Sequence, residues 1–411
     1  MNAHSRAYSR AHGRDGVAIQ RRWLRRLAAG IAAAVLLVLG VYAWAWASLD
    51  RSSIARAMWW TEADVGDQFR FPARVIPAGE EAGPLPVGAE ITLAPPSGGV
   101  RTFDGFLRET DTRAFLIVDD DELVYERYVG GADRDARQTS FSVAKSFVST
   151  LVGIAIDEGL IGSVDDPVTD YVPELAERDP RFERITLRHL LTMTSGIRYE
   201  EQSLPLPWGD DVNTYYGTDL RDLALSATEI VSPPGGGWLY NNYNPLLLGL
   251  VPERATGKSV SEYMATELWQ PLGAEADATW SLDSGDSGFE KMESGLNARP
   301  VDYARFGLLF LHDGERNGTR IVSKEWVREA TTTDTSGAPA GNYFADSYQY
   351  FWWIDPLRPG RFYALGNFGQ YIYVAPDAGT VIVRNGADWG ADNDTWLGLF
   401  RDIADGLRGP S

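Results

Sequence analysis

Ser142 and Lys145 stand three residues apart in Thr139-Ser-Phe-Ser-Val-Ala-Lys145-Ser-Phe-Val-Ser-Thr150, and Lys145 is the only charged residue between Arg137 and Asp157. On a helix that spacing places both side chains on one face and within reach of each other. Phe141, Val143, Phe147, Val148, Leu151, Val152 and Ile154 make the segment apolar nearly all round, so the helix is predicted to be buried. An unpaired ammonium in such surroundings is driven towards its neutral form. A neutral amine beside a hydroxyl is a general base beside a nucleophile. At the helix N-terminus, backbone N–H groups and the helix dipole would also favour negative charge on the Ser142 oxygen. The competing reading is a snorkelling lysine with a capping serine.

Lysine usage favours the first reading. Only four Lys occur (Lys145, Lys258, Lys291, Lys324) among 38 Lys and Arg residues, and only Lys145 has Ser three residues before it. Arginine stays protonated and cannot serve as a base. A second candidate group is Pro233-Pro-Gly-Gly-Gly-Trp-Leu-Tyr240-Asn-Asn242, in which Pro and Gly fix a turn that aims Tyr240 and Asn242. The phenol and the amide suit hydrogen bonding to a lysine or a substrate. A third is Gly366-Asn-Phe-Gly-Gln370, between two strand-like runs, where glycine lets backbone approach a ligand closely. Taken singly, the second and third groups read as ordinary loops.

Taken together and in this order, the three groups resemble the serine β-lactamase-like family of penicillin-recognising hydrolases. That family includes class C β-lactamases, D-Ala-D-Ala carboxypeptidases, related esterases and 6-aminohexanoate-dimer hydrolases. Ser142-Val-Ala-Lys145 matches its first motif and Tyr240-Asn241-Asn242 its Tyr-x-Asn motif. Ile185 to Ile197 is similar to its helix-and-turn segment, and Ala298 to Leu309, followed by Asn317-Gly318 and Trp326, to its later helical stretch. The resemblance covers residues 101 to 408. It implies a β-lactamase/transpeptidase-like α+β fold: an antiparallel sheet flanked by helices, with a helical subdomain. It also implies that Ser142 forms an acyl-enzyme, that Lys145 and Tyr240 share the proton transfers, and that Asn242 holds the substrate amide or Lys145. The oxyanion hole would combine the Ser142 N–H with one beside Gly366, from Asn367 or Gln370, with Asn367 favoured.

The third motif departs from the pattern. Lactamases and carboxypeptidases carry Lys- or His-x-Gly there, whereas Ala364-Leu-Gly366 and Asn367-Phe-Gly369 begin with no cation. This weakens carboxylate recognition and points to the esterase and 6-aminohexanoate-dimer hydrolase branch. The expected activity is cleavage of an amide or ester in a small molecule or short peptide. The alternatives are carboxypeptidase or β-lactamase activity, or a non-catalytic binding protein on the same fold. No Ser-Asp-Asn motif occurs, which sets aside the class A arrangement.

Inventory narrows the field further. There is no Cys, and only His189 and His312 lie outside the N-terminal tail. Neither Gly-x-Ser-x-Gly nor His-Glu-x-x-His is present, so a Ser-His-Asp site and a zinc site of that type are not expected. No metal or cofactor is called for. Thr256-Gly-Lys-Ser259 lacks the first glycine of a phosphate loop.

The elements that must position these residues are legible in outline. Ala114 to Val118, an acidic turn and Leu123 to Tyr128 read as a hairpin, Phe141 to Ile161 as a helix, and Thr186 to Met193 as another. Gln349 to Ile354, Phe362 to Leu365, Tyr371 to Val374 and Thr380 to Arg384 read as strands, and Asp394 to Leu407 as a closing helix. The two ends of the body are expected to meet in one sheet. Tyr199, Trp208, Tyr215 and Tyr216 are expected to line a loop over the site.

Charge is unevenly spread. Seven Arg and one Asp make residues 1–26 a basic tail of net +6, so with −19 overall the remainder carries −25. Such an acidic body offers no surface for nucleic acid. Leu27 to Leu49 then runs 23 residues without a charge, enough to span a bilayer as a helix. Basic residues before it and Tyr42, Trp44 and Trp46 near its far end predict a single-pass anchor in the cytoplasmic membrane, with the body outside the cytoplasm. The alternative is a cleaved signal peptide, with small-x-small sites at Ala43-Trp-Ala45 and Ala45-Trp-Ala47. Residues 50–100 read as a Pro- and Gly-containing lead without a period, and 101–411 as the hydrolase domain.

Overall fold

In the computed structural model, residues 4–80, 83–96, 102–201, 209–333 and 347–408 are described. The chain divides into two compact units, Met1–Thr61 and Glu62–Ser411. The first is helical, with one helix over His4–Ala47 and another over Ser53–Trp60. Arg22–Ala47 is the one helix among the described residues long and apolar enough to cross a membrane. Ser52 caps the shorter helix by accepting the Ala55 N–H.

In the second unit the strands are β1 (Ala73–Ile76), β2 (Thr112–Asp119), β3 (Glu122–Tyr128), β4 (Gln138–Thr139), β5 (Ala278–Ser281), β6 (Leu296–Ala298), β7 (Glu315–Arg316), β8 (Thr319–Arg320), β9 (Tyr348–Gln349), β10 (Trp352–Ile354), β11 (Phe362–Gly366), β12 (Gln370–Ala375) and β13 (Thr380–Gly386). Seven of them form an antiparallel sheet in the order β3-β2-β13-β12-β11-β10-β9. Ile382 pairs with Ile117, so the two ends of the body do meet in one sheet. Alternation along each strand feeds two cores. Leu116, Val118, Ile372, Val374, Val381 and Val383 face one. Phe115, Ile117, Tyr371, Tyr373 and Ile382 face the other, beneath Trp396 and Phe400 of the closing helix Asn393–Leu407. With both faces covered, the fold is α+β, as expected.

On the first face lies the helix Pro300–Leu311, whose Phe306 stacks on Phe147 at 3.7 Å between ring centroids. Phe147 belongs to the helix Ala144–Asp157, which packs against the helix Tyr243–Thr256. A smaller sheet, β1-β5-β6-β4, closes the unit beside them.

Two expectations need correction. The helix predicted over 141–161 begins with a separate 3-10 turn, Phe141–Val143, and ends at Asp157. Gly159 takes φ +72° there, and the Leu160 and Ile161 N–H groups turn back to the Ala155 carbonyl. The strand predicted over 349–354 is a tight hairpin, because Tyr350 and Phe351 adopt φ +40° and +66°. Tertiary bonds hold that turn: Ser146 Oγ donates to the Phe351 carbonyl at 2.7 Å, and the Phe351 N–H donates to the Leu191 carbonyl at 3.2 Å. The lead packs onto the body, where it supplies β1, paired with β5 from Ala73–Ser281 to Ile76–Ala278.

Candidate active site

Ser142 occupies the 3-10 turn that feeds the helix Ala144–Asp157. Phe141 before it adopts φ +43°, a conformation that costs a non-glycine residue about 1–3 kcal/mol. Surrounding structure imposes it. The Ser140 N–H donates to the Leu296 carbonyl at 2.8 Å as β4 pairs with β6, and Ser140 Oγ donates to the Phe141 carbonyl at 3.0 Å. The Phe141 ring packs on Phe368 and stacks with Tyr215.

Lys145 is 1% exposed. Its Nζ donates to Ser142 Oγ at 2.9 Å and to the main-chain carbonyl of Glu293 at 2.9 Å, and lies 4.9 Å from the Tyr240 ring centroid. Burial pushes its pKa down to about 7, against the opposing pull of the Glu293 carboxylate. Near neutrality the amine is therefore partly unprotonated while touching a hydroxyl.

Tyr240 arrives from the Pro-Gly loop, which docks through Gly235 N–H to the Thr194 carbonyl at 2.8 Å and Leu239 N–H to the Met193 carbonyl at 2.9 Å. Burial raises the Tyr240 phenol well above its ordinary range, and its hydrogen bond with the Ser142 side chain opposes that rise. The phenol keeps its proton at neutral pH. Ser142, Lys145 and Tyr240 thus converge on one point.

Asn242 does not touch Lys145. Its Nδ2 donates to Tyr199 Oη at 2.8 Å and to Thr214 Oγ1 at 3.3 Å, while its Oδ1 is buried without a partner. The expected bond to the lysine is replaced by the Glu293 carbonyl, which the turn Lys291–Gly295 folds beneath the ammonium. Asn241, between the two motif residues, is structural: it donates to the Ile197 carbonyl and accepts the Tyr243 N–H.

The third motif lies against the turn that carries Ser142. A Cβ on Gly366 would sit 2.3 Å from the Ser140 carbonyl oxygen and 3.1 Å from the Ser142 nitrogen, so only glycine lets β11 approach this closely. Asn367 follows it, exposed at the start of the turn into β12. Gln370 pairs with Gly366, and its amide is committed to Asn385 and to the Asn367 and Gly386 carbonyls. Arg384, beside this turn, spends its guanidinium on the carbonyls of Thr110, Phe368, Gly369 and Asp388.

Of the aromatic residues expected over the site, Tyr199 lies buried under Asn242, Tyr215 stacks on Phe141, and Tyr216 packs edge-on against Tyr215. Trp208 lies outside the described residues. Both body histidines are spent elsewhere, His189 in a capping box with Thr186 and His312 against Asp121. Sequence reasoning missed Glu293, because its contribution is a carbonyl that any residue carries. Lys291 beside it had a signal, as another lysine in an arginine-preferring chain.

Comparison with known proteins identifies the family and the fold. The beta-lactamase family model matches residues 101–396. The chain is 32% identical over 317 residues to a 6-aminohexanoate-dimer hydrolase of Paenarthrobacter ureafaciens, covering 72% of this chain and 78% of that one. It is 33% identical over 238 residues to esterase EstB of Burkholderia gladioli, covering 53% and 55%. A Bacillus anthracis structure provisionally named as a 6-aminohexanoate-dimer hydrolase superimposes with a TM-score of 0.74 at 25% identity, covering 82% of this chain and 92% of that one. By sequence, fold and arrangement of its motifs, the chain belongs to the beta-lactamase family of hydrolases.

Proposed function

We propose that this protein is a serine hydrolase that cleaves an amide or ester through an acyl-enzyme on Ser142. The observation that carries the reading is the buried Lys145 amine, 2.9 Å from Ser142 Oγ. In its neutral form Lys145 takes the Ser142 proton as the oxygen attacks the substrate carbonyl. Tyr240, protonated at neutral pH, hands its proton to the departing amine or alcohol and regains one from Lys145. Water then attacks the acyl-enzyme by the same relay in reverse, releasing the acid. The Ser142 N–H and that of Asn367 are the oxyanion donors in this reading, with Gly366 making room for them. Asn242, whose Oδ1 is unpartnered, accepts a donor from the substrate in this reading.

Substrate choice follows from the third motif. No cation begins it, and Arg384 is fully engaged, so linear amides and simple esters are preferred over substrates anchored by a carboxylate. The relatives named for a 6-aminohexanoate dimer and for an esterase support the same class. The Arg22–Ala47 helix, with its basic flank, anchors the hydrolase at the cytoplasmic membrane with the catalytic unit outside the cytoplasm. The test is turnover of p-nitrophenyl acyl esters, linear 6-aminohexanoate dimers and nitrocefin by the wild type and Ser142→Ala. Ester or linear-amide turnover lost in Ser142→Ala is expected. Nitrocefin turnover exceeding both would overturn the substrate assignment, and activity surviving Ser142→Ala would overturn the mechanism.

A further inference from the structure

Beneath Lys145 lies a second buried lysine. Lys291 Nζ and Glu293 Oε1 face each other at 2.8 Å, and each side chain is 1% exposed. They sit on one tight turn, closed by the Gly295 N–H donating to the Lys291 carbonyl at 2.7 Å. The same Glu293 whose main-chain carbonyl holds Lys145 also accepts from Ser294 Oγ on Oε1, while its Oε2 is buried with no partner. Lys291 Nζ donates in addition to the Tyr215 carbonyl and lies 4.7 and 4.6 Å from the ring centroids of Phe71 and Tyr215.

Tyr215 is fixed in turn. Its phenol donates to Asp67 Oδ2 at 2.8 Å, its ring stacks on Phe141, and Phe71 meets it edge-on. Asp67 is itself buried, and it accepts from the Asp64 N–H and from Arg70. Asp67 and Phe71 belong to the lead, ahead of residue 101 where the family match begins. A continuous chain of polar and ring contacts therefore runs from the lead to Lys145.

A buried ion pair is a poor way to add stability, because desolvation offsets most of the attraction. Beside Lys145 it has another consequence. A carboxylate there holds a proton on the Lys145 amine, and a cation paired with that carboxylate weakens the hold. We propose that the Lys291–Glu293 pair is a positioning device that balances the field at Lys145, kept in place by Asp67 and Phe71 of the lead acting through Tyr215. The inference rests on the reading of Lys145 as the base for Ser142. Among the described residues, the titratable groups facing Glu293 include Lys145, Lys291, Tyr199 and Tyr215. Those facing Lys145 are Glu293, the Ser142 hydroxyl and Tyr240, the last under the influence of Glu201 and Tyr348.

The test follows the rate of Ser142 labelling by a fluorophosphonate probe across pH, on the full chain in detergent. Wild-type labelling climbs through about pH 7, as Lys145 loses its proton. Glu293→Gln leaves a cation facing Lys145, and the midpoint moves down by about one pH unit. Lys291→Met leaves the carboxylate uncompensated, and the midpoint moves up by about the same amount. With both substitutions the midpoint returns towards wild type. Phe71→Leu moves it up by a smaller step, since Lys291 loses a ring contact. A midpoint that stays fixed in the double variant's parents and in Phe71→Leu, with circular dichroism unchanged, overturns the proposal. Should either single charge variant fail to fold, Phe71→Leu and the double variant decide: an unmoved midpoint in Phe71→Leu counts against the proposal, and so does a displaced one in the double variant. Absence of labelling in the wild type defeats instead the parent reading, and this inference with it.

Discussion

At the scale of single residues, the account turns on an ammonium that has lost its water and been given a hydroxyl and a carbonyl in exchange. Such a lysine is useful as a base and unhelpful to the fold. Its pKa falls from 10.5 to about 7, so between those values the unfolded chain binds the extra proton. Lys145 therefore destabilises the native state most below about pH 7, and the penalty fades as pH rises towards 10.5. Lys145→Met is expected to lower turnover by about 10²–10⁴-fold. The same variant should melt higher at pH 7, by about 1–2 °C for each kcal/mol recovered, with the gain shrinking at pH 10. Scanning calorimetry at the two pH values checks this, and a variant less stable at both would contradict it. Tyr240→Phe keeps the ring over Lys145 but removes the proton donor, and should lower kcat by about 10²-fold with little change in KM. Ser142 and Lys145 were legible in the sequence from spacing and residue type, whereas Tyr240 stood out only through the family resemblance; the structure brings the three side chains together. The contact from Glu293 was not legible, since a main-chain carbonyl leaves no mark on residue type.

Among the elements, the decisive contact is where β11 meets the turn that carries Ser142. Gly366→Ala would drive a methyl group into the Ser140 carbonyl and force β11 away from Ser142. Overpacking of this kind costs about 1–3 kcal/mol, and a misplaced oxyanion donor adds about 10²-fold in kcat. The expected outcome is a folded but less stable enzyme whose kcat falls far more than its KM rises, measured by steady-state kinetics and denaturant unfolding. The sequence showed this glycine between two strand-like runs, and those runs became β11 and β12. It concealed the hairpin at Tyr350-Phe351, because two aromatic residues give no turn signal. Their positive φ angles are held by Ser146 and Leu191, which are distant in the chain. It concealed β1 for a related reason: four residues of lead become a strand only because β5 lies beside them. Local pattern reports the elements that stand on their own periodicity, and long-range pairing makes the others.

For the whole molecule, a strongly acidic beta-lactamase-family unit is joined to a basic tail and an apolar helix of membrane-spanning length. The full chain is expected to stay in the membrane fraction after an alkaline carbonate wash, with its N-terminus intact by mass spectrometry. A mature N-terminus beginning near Ala47 would show a cleaved signal peptide instead. The fold class and the meeting of both chain ends in one sheet were readable from strand-like runs at the two ends of the body. The way the lead reaches Lys145 through Asp67, Tyr215 and Lys291 was not, because it depends on three segments converging. All of these levels serve one claim, that Ser142 is the acylated nucleophile. The most direct measurement is to treat the full chain with a fluorophosphonate probe at pH 8 and locate the adduct by peptide mass spectrometry. A single adduct on Ser142, absent from Ser142→Ala and strongly slowed in Lys145→Met, is the result the account predicts. Correctly folded protein that takes no adduct, or takes it on another residue, would contradict it.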